Sequence, residues 1–246
     1  MHFAKRFAFA AIFLRFARSI SRHLWLLLSI ALLLPGAQSK AIAQNQFYGG
    51  VLTGVSTLSA DQGSKFQASG TFALSLDNPA NGFLLGAVFG REVSEHVSLQ
   101  GNYIWNRNRL TLASTVFTNG TLTAYQELRK SSQHSALVDV LVYFRSKDSR
   151  LRPYLSVGTG LVHFSSSEQI VTHSTGNPAL PPTSFSSNLI ALHVPVGMDV
   201  KLRENWMFRY SFSETLTGNP ISDRLSPPGQ HKLMNFQHSF GILRRF

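Results

Sequence analysis

From Phe47 to Phe246 the chain changes side-chain polarity at almost every second residue, in segments of about ten residues separated by turn-rich linkers. A strand sends successive side chains to opposite faces, whereas a helix repeats every 3.6 residues, so this rhythm specifies strands. In the clearest segment Val97, Leu99, Gly101, Tyr103 and Trp105 alternate with Ser98, Gln100, Asn102, Ile104 and Asn106. The same pattern returns at 135–144, 154–161, 191–201, 206–213 and 234–246. Two earlier segments, 47–59 and 82–91, are blurred by Gly49, Gly50, Gly54, Gly86 and Gly90, residues that suit inward positions where a narrow interior is crowded.

The linkers alternate in length. Those near 92–96, 146–152 and 203–205 are short, and those near 60–81, 110–134, 166–186 and 217–231 are long and rich in Ser, Thr, Asn, Gly and Pro. Such regularity predicts an all-β fold, a closed antiparallel up-and-down barrel of about eight strands with short turns at one end and long loops at the other. A Greek-key sandwich gives no reason for it.

Polarity assigns the two faces. One is apolar and carries Tyr103, Trp105, Trp206, Phe208 and Tyr210, read as a girdle at a lipid–water boundary. The other carries glycines, amides and charges. After Ala43 no apolar run approaches the length of a spanning helix, and lipid then leaves only a closed barrel as a spanning structure. The apolar face therefore points outward. On the inward face a turn centred on Glu204 sets Asp199 opposite Arg209, with Met198 opposite Tyr210 and Val200 opposite Phe208. A lumenal ion pair of Asp199 and Arg209 follows, with Asp139, Lys201 or Arg245 as further members, because charges in such an interior require partners.

Residues 1–43 read as a signal peptide. Lys5, Arg6, Arg15, Arg18 and Arg22 precede the apolar run from Leu24 to Leu34, Pro35-Gly36 breaks it, and Ala41 and Ala43 supply the small residues at the −3 and −1 positions of a cleavage site. The mature barrel domain is then 44–246. The net charge of +11 is partly a property of this leader, which holds no acid, and gives little support to a nucleic-acid partner. The absence of Cys excludes disulfides and thiolate metal sites.

The last strand carries Phe236, Phe240, Ile242 and the terminal Phe246 at even spacing. This resembles the C-terminal assembly signal of bacterial outer-membrane proteins, although His238 and Arg244 depart from its apolar alternation. Over 47–246 the pattern is similar to the small barrels of the OmpA, OmpX and OmpW type. The resemblance implies a monomer in the cell outer membrane, a barrel-assembly machinery as partner during biogenesis, and outer-membrane lipid and lipopolysaccharide as surroundings. Arg107 and Arg109 are placed to meet lipopolysaccharide phosphates.

Barrels of this architecture include lipid A deacylases and palmitoyltransferases, which need a Ser–His pair and an acid. The run Phe208 to Glu214 has serines and an acid without a His, and in a strand His134-Ser135 and His238-Ser239 point to opposite faces. No histidine spacing matches a zinc site. No catalytic, cofactor or metal residue is therefore expected. The expected role is structural or surface interaction, through Pro-rich loops such as 177–182 and 225–229, around a narrow, charge-plugged lumen. A passive small-solute pore of the OmpW type, a lipid A-modifying enzyme and a soluble periplasmic barrel remain as alternatives.

Overall fold

A computed structural model describes residues 47–59, 64–229 and 231–246. The expected signal peptide lies outside them. Ten strands are present: β1 (Phe47–Ser59), β2 (Ser64–Ala68), β3 (Thr71–Pro79), β4 (Gly82–Glu92), β5 (Val97–Thr118), β6 (Thr121–Tyr143), β7 (Leu151–Thr175), β8 (Phe185–Lys201), β9 (Trp206–Gly218) and β10 (Lys232–Arg245). All pairings are antiparallel. The ring runs β1–β4–β5–β6–β7–β8–β9–β10 and closes where β10 pairs β1, so eight strands make the wall. β3 continues the line of β4 along the upper half of β5, with β2 hooked onto its free side.

The wall turns every second side chain inward. On β5, Ser98, Gln100, Asn102, Ile104, Asn106 and Asn108 are buried, while Leu99 and Tyr103 are exposed. Around the ring the outward set includes Val51, Phe89, Leu161 and Ile190, exposed by 59% to 78%. Large apolar side chains left so bare would be costly in water; a lipid surround removes that cost, and a closed ring leaves no unpaired strand edge inside it. Among the described residues no helix is long and apolar enough to cross a membrane.

Room for the interior side chains comes from glycine. A Cβ at Gly90 would overlap the ring of Tyr48, and one at Gly158 would overlap the carboxylate of Asp139. The ladder is interrupted between β7 and β8. β7 and β8 pair at Leu155–Val196 and again at Gly158–His193, and between them stands Pro195, which has no N–H to donate.

Both ends of the described barrel, Phe47 and Phe246, lie with the short turns 93–96, 144–150 and 202–205. Short turns mark the periplasmic end of such barrels. The opposite end departs from the sequence reading. The segments near 110–134 and 166–186 are largely strand: β5 and β6 continue to a two-residue turn at Asn119-Gly120, and β7 runs to Thr175. The segment near 60–81 contains the β2–β3 hairpin. A tall sheet of β2, β3, β5, β6 and β7 thus rises above one side of the barrel. On the other side, β9 and β10 stop lower and the segment between them folds back as a short 3-10 helix, Ser222–Arg224.

Candidate functional site

The lumen is filled in layers. At its periplasmic base Glu92 Oε1 accepts hydrogen bonds from Arg152 and Arg245, each at 2.9 Å, and Lys147 lies 3.5 Å from Oε2. Three strands far apart in sequence are tied there by one carboxylate. The Arg152 guanidinium also sits 3.9 Å over the ring of Tyr143, which joins this layer to the next.

The second layer centres on Arg209, one of the largest fully buried side chains. Its Nε donates to Asp199 Oδ1 at 2.6 Å and its Nη2 to Asp199 Oδ2 at 2.7 Å, a two-point pairing that suits a planar guanidinium. The backbone register is Asp199–Arg209, Met198–Tyr210 and Val200–Phe208. Tyr143 donates to Asp199 at 2.8 Å and accepts from Arg209 at 3.0 Å. Gln100 Oε1 accepts from Arg209 and from Tyr48, and the rings of Tyr48 and Tyr154 flank the guanidinium.

Asp139 departs from the sequence reading, which placed it with the pair. It touches neither Asp199 nor Arg209: its carboxylate accepts from His193 Nδ1 at 2.9 Å and Asn102 Nδ2 at 2.7 Å. Gln100 bridges the two halves by donating to Asn102 at 2.5 Å. The result is one connected path, Asp199–Arg209–Gln100–Asn102–Asp139–His193, across the barrel. Arg245, a second suggested member, belongs instead to the Glu92 layer. The cavity bounded by Gln100, Asn102, Asp139, His193 and Arg209 has a volume of about 20 Å³, room for about one water molecule.

Above lies an amide layer. Ser56 donates to Asn235 at 2.7 Å, Asn235 donates to Gln133 at 2.9 Å, and Asn108 donates to the Ser56 carbonyl at 2.9 Å. The outer mouth is closed by apolar contact. Ile221 and Leu225, from the segment between β9 and β10, are buried among Leu58, Leu110, Leu112, Phe164 and Leu233. Ser75 donates to the Pro227 carbonyl at 2.7 Å and Ser114 to the Ser226 carbonyl, which hold this cap down. Arg129 pairs with Glu127 at 2.9 Å and donates to the carbonyls of Pro182 and Thr183, drawing the 176–184 segment inward as well. The Pro-rich loops, read as projecting interaction surfaces, thus bend over the mouth. Asp77, on β3 beside this cap and beyond the lipid-facing belt, is buried with neither carboxylate oxygen hydrogen-bonded, and desolvation pushes its pKa from 3.8 to about 7.

Outside, all five girdle residues face outward. Trp206 and Phe208 lie at the periplasmic start of β9. Tyr103 and Trp105 lie where the outer face of β5 changes from apolar to basic, and they bond His134 and Ser132 respectively. Tyr210 lies within the wall, 5.2 Å from Phe240. On β10, Phe236, Phe240 and Ile242 also face out, as does Phe246 just after it, with Arg244 over the rings of Trp206 and Phe246. His134 and His238 point outward while Ser135 and Ser239 are buried, so neither His–Ser neighbour pair converges.

Sequence reasoning missed Glu92, which reads as the first residue of a turn, and the cap residues Ile221 and Leu225, isolated apolar positions in a Pro- and Ser-rich stretch. Glu92 was recoverable: it continues the inward parity of Val88 and Gly90.

Residues 26–246 match the family model described as an outer membrane protein beta-barrel domain. The chain belongs to the outer-membrane β-barrel family. Its place is the cell outer membrane. Solved structures of similar architecture include neisserial surface protein A, at 15% identity over 81% of this chain and 97% of that one, with a TM-score of 0.45. The attachment invasion locus protein Ail of Yersinia pestis, bound to a heparin analogue, aligns at 12% identity over 82% and 99%, with a TM-score of 0.46. OprG of Pseudomonas aeruginosa aligns at 14% identity over 82% and 96%, with a TM-score of 0.43. No curated protein matches the chain.

Proposed function

We propose that this barrel is a non-conducting scaffold whose role is surface interaction, performed by the tall extracellular sheet. The observation that carries the reading is the filling of the lumen from base to mouth: the Glu92 layer, the Arg209 network around a cavity of about 20 Å³, the amide layer, and the Ile221–Leu225 cap. A pore requires a continuous path of water or of apolar surface; the charged and amide layers interrupt an apolar path and the apolar cap interrupts a path of water. Eight-stranded barrels have interiors just wide enough for side chains to fill, so the sequence of the inward face decides between plug and channel.

The sheet above the barrel supports the positive half of the proposal. β5, β6 and β7 continue well past the lipid-facing belt, and ordered strands there present side chains at fixed spacing instead of in mobile loops. The test is conductance in planar bilayers. The wild-type chain is expected to give no unitary current steps, and substitution of Arg209, Asp199 and Gln100 together by Ala is expected to open small ones. Steady wild-type conductance would establish a pore and sink the scaffold reading.

A further inference from the structure

We propose that the cap between β9 and β10 is a proton-controlled lid, closed over the outer mouth while Asp77 carries its proton and raised when that carboxyl ionises. The lid is independent of whether the lumen conducts, because the Arg209 network lies below it.

Asp77 stands next to the fastenings of the cap. On the inward faces of β3 and β5, Ser75 is opposite Ser114, and one step nearer the membrane Asp77 is opposite Leu112. The first pair holds the cap: Ser75 donates to the Pro227 carbonyl at 2.7 Å and Ser114 to the Ser226 carbonyl. In the second pair, Leu112 is buried with Ile221 and Leu225 of the cap. Asp77 is only 2% exposed, and both of its carboxylate oxygens lack a hydrogen bond.

These surroundings suit the acid and not the anion. The cap offers carbonyl oxygens to this pair of strands, and Pro227 and Pro228 have no N–H to donate. The inward face of β5 supplies Leu110, Leu112 and Ser114, none of them charged. That of β6, one strand further, carries Tyr125, Glu127 and Arg129, and Arg129 is committed to Glu127 and to the carbonyls of Pro182 and Thr183. Lys65 of β2 is exposed, Arg224 of the cap lies over the ring of Phe185, and His231 at the base of the cap is exposed. Burial alone therefore sets the pKa of Asp77, raising it from 3.8 to about 7, which places the change near neutral pH.

A buried carboxylate without a partner is expensive, so ionisation draws in water. Water has two routes to Asp77: β3 can peel from β5, or the cap can rise. β3 is held to β5 along nine residue pairs, Thr71–Pro79. The cap is held to the same strands by two serine–carbonyl bonds and by the contacts of Ile221 and Leu225. It is also built to move as a unit. Ser222 donates its hydroxyl to the Gly229 carbonyl at 2.7 Å, and the Gly229 N–H returns a bond to the Ser222 carbonyl at 3.2 Å. The Arg224 N–H donates to the Ile221 carbonyl at 2.9 Å. At the base, the Asn219 N–H donates to the His231 carbonyl at 2.9 Å, where the segment joins β9 and β10. Raising the cap keeps all of these bonds and breaks only those to β3, β5 and the aliphatic floor.

Double electron–electron resonance on the full chain in detergent micelles tests this. The chain has no Cys, so labels can be placed in pairs without background. Labels at Ser226→Cys and Asp148→Cys measure the height of the cap above a periplasmic turn; labels at Gln67→Cys and Asp148→Cys measure the height of the β2–β3 hairpin. The cap distance is expected to be short and narrowly distributed at pH 5 and to shift to longer, broader values at pH 9, with a midpoint near pH 7, while the hairpin distance stays. In an Asp77→Asn background the cap distance is expected to stay short at both pH values. Heat-modifiable gel mobility reports whether each variant is folded; should Asp77→Asn not fold, Asp77→Ser gives the same comparison. A cap distance that is the same at pH 5 and pH 9 in the parent overturns the lid. So does an Asp77→Asn variant whose cap shifts as the parent's does, or a hairpin that moves as far as the cap or in its place.

Discussion

The interior at membrane level and the interior at the outer mouth are built by opposite means. At membrane level a single guanidinium is surrounded by partners: two carboxylate oxygens, a phenol, an amide and two ring faces. At the mouth the fill is mostly aliphatic, and the buried acid Asp77 has no hydrogen-bond partner. The lower part is shielded from water by lipid and by the layers above and below, so every charge there must be paired. The upper part is held by hydrophobic contact and a few bonds from serine to loop carbonyls. The lower interior should therefore be rigid and sensitive to single changes, and the upper one adjustable and responsive to pH.

The largest expected effect tests the lower half. Asp199→Ala removes two charge-assisted bonds and leaves Arg209 buried beside Tyr143 and Gln100. Breaking a buried pair from one side typically costs about 3–5 kcal/mol. Replacing both members with residues of similar volume, Asp199→Leu with Arg209→Met, should recover most of that loss, because the desolvation cost goes with the charge. Urea unfolding in detergent micelles measures both. A single substitution costing no more than the double would mean that the network contributes nothing as a network.

The second effect tests the mouth and has a definite sign. The folded pKa of Asp77 lies near 7, raised by burial from 3.8, so the folded state prefers the protonated acid. Below pH 4 both folded and unfolded chains hold the proton and there is no penalty. Between pH 4 and pH 7 the unfolded acid has ionised while the folded one resists, so stability falls, by at most about 4 kcal/mol, and then levels off. Asp77→Asn should abolish this slope and leave the upper sheet more resistant at pH 8 than the parent. Hydrogen exchange along β3 at pH 4 and pH 8, corrected for the intrinsic rate, reads it. A parent chain whose corrected protection does not change between those values would remove the contrast between the two halves.

How much of each half could be read from the sequence follows from the same contrast. Within the membrane, lipid on one side and a crowded lumen on the other give every residue a definite partner phase, so the alternation is sharp. The three-residue linker Arg203-Glu204-Asn205 then leaves little freedom in register, which is why Asp199 and Arg209 can be placed opposite each other by counting. Asp139 could be assigned to the lumen but not to His193, because its strand is separated from β8 by β7 and no count along the chain relates them. Beyond Trp105 the outward face of β5 leaves lipid for water while the inward face stays buried under the amide layer and the cap, so the stretch Thr111, Leu112, Ala113, Ser114 and Thr115 loses its pattern and reads as loop. The cap depends on two apolar side chains whose partners lie on other strands, a relation that no local pattern encodes.

One signal for the tall sheet was present all the same, in Asn119-Gly120. Both residues have positive φ, 50° and 81°, the requirement of a tight two-residue hairpin with strands on either side. The neighbouring hairpin tip reinforces it: Asn119 donates its N–H to the Gly70 carbonyl at 3.2 Å. A Cβ at Gly120 would meet nothing within 4 Å, so Gly120→Ala tests backbone conformation alone. It should cost about 1 kcal/mol, the smallest of these effects, and Gly120→Asn should cost less because Asn tolerates the left-handed region. The loss should appear as roughly fivefold faster hydrogen exchange at Thr118 and Thr121, with the global unfolding midpoint unmoved. Gly218→Ala, where the backbone is not left-handed and the nearest atom is 3.8 Å away, is the matched control and should change neither. If Gly120→Ala lowered the global midpoint as far as Asp199→Ala, the sheet above the membrane and the barrel within it would be one cooperative unit, and the division drawn between them would fail.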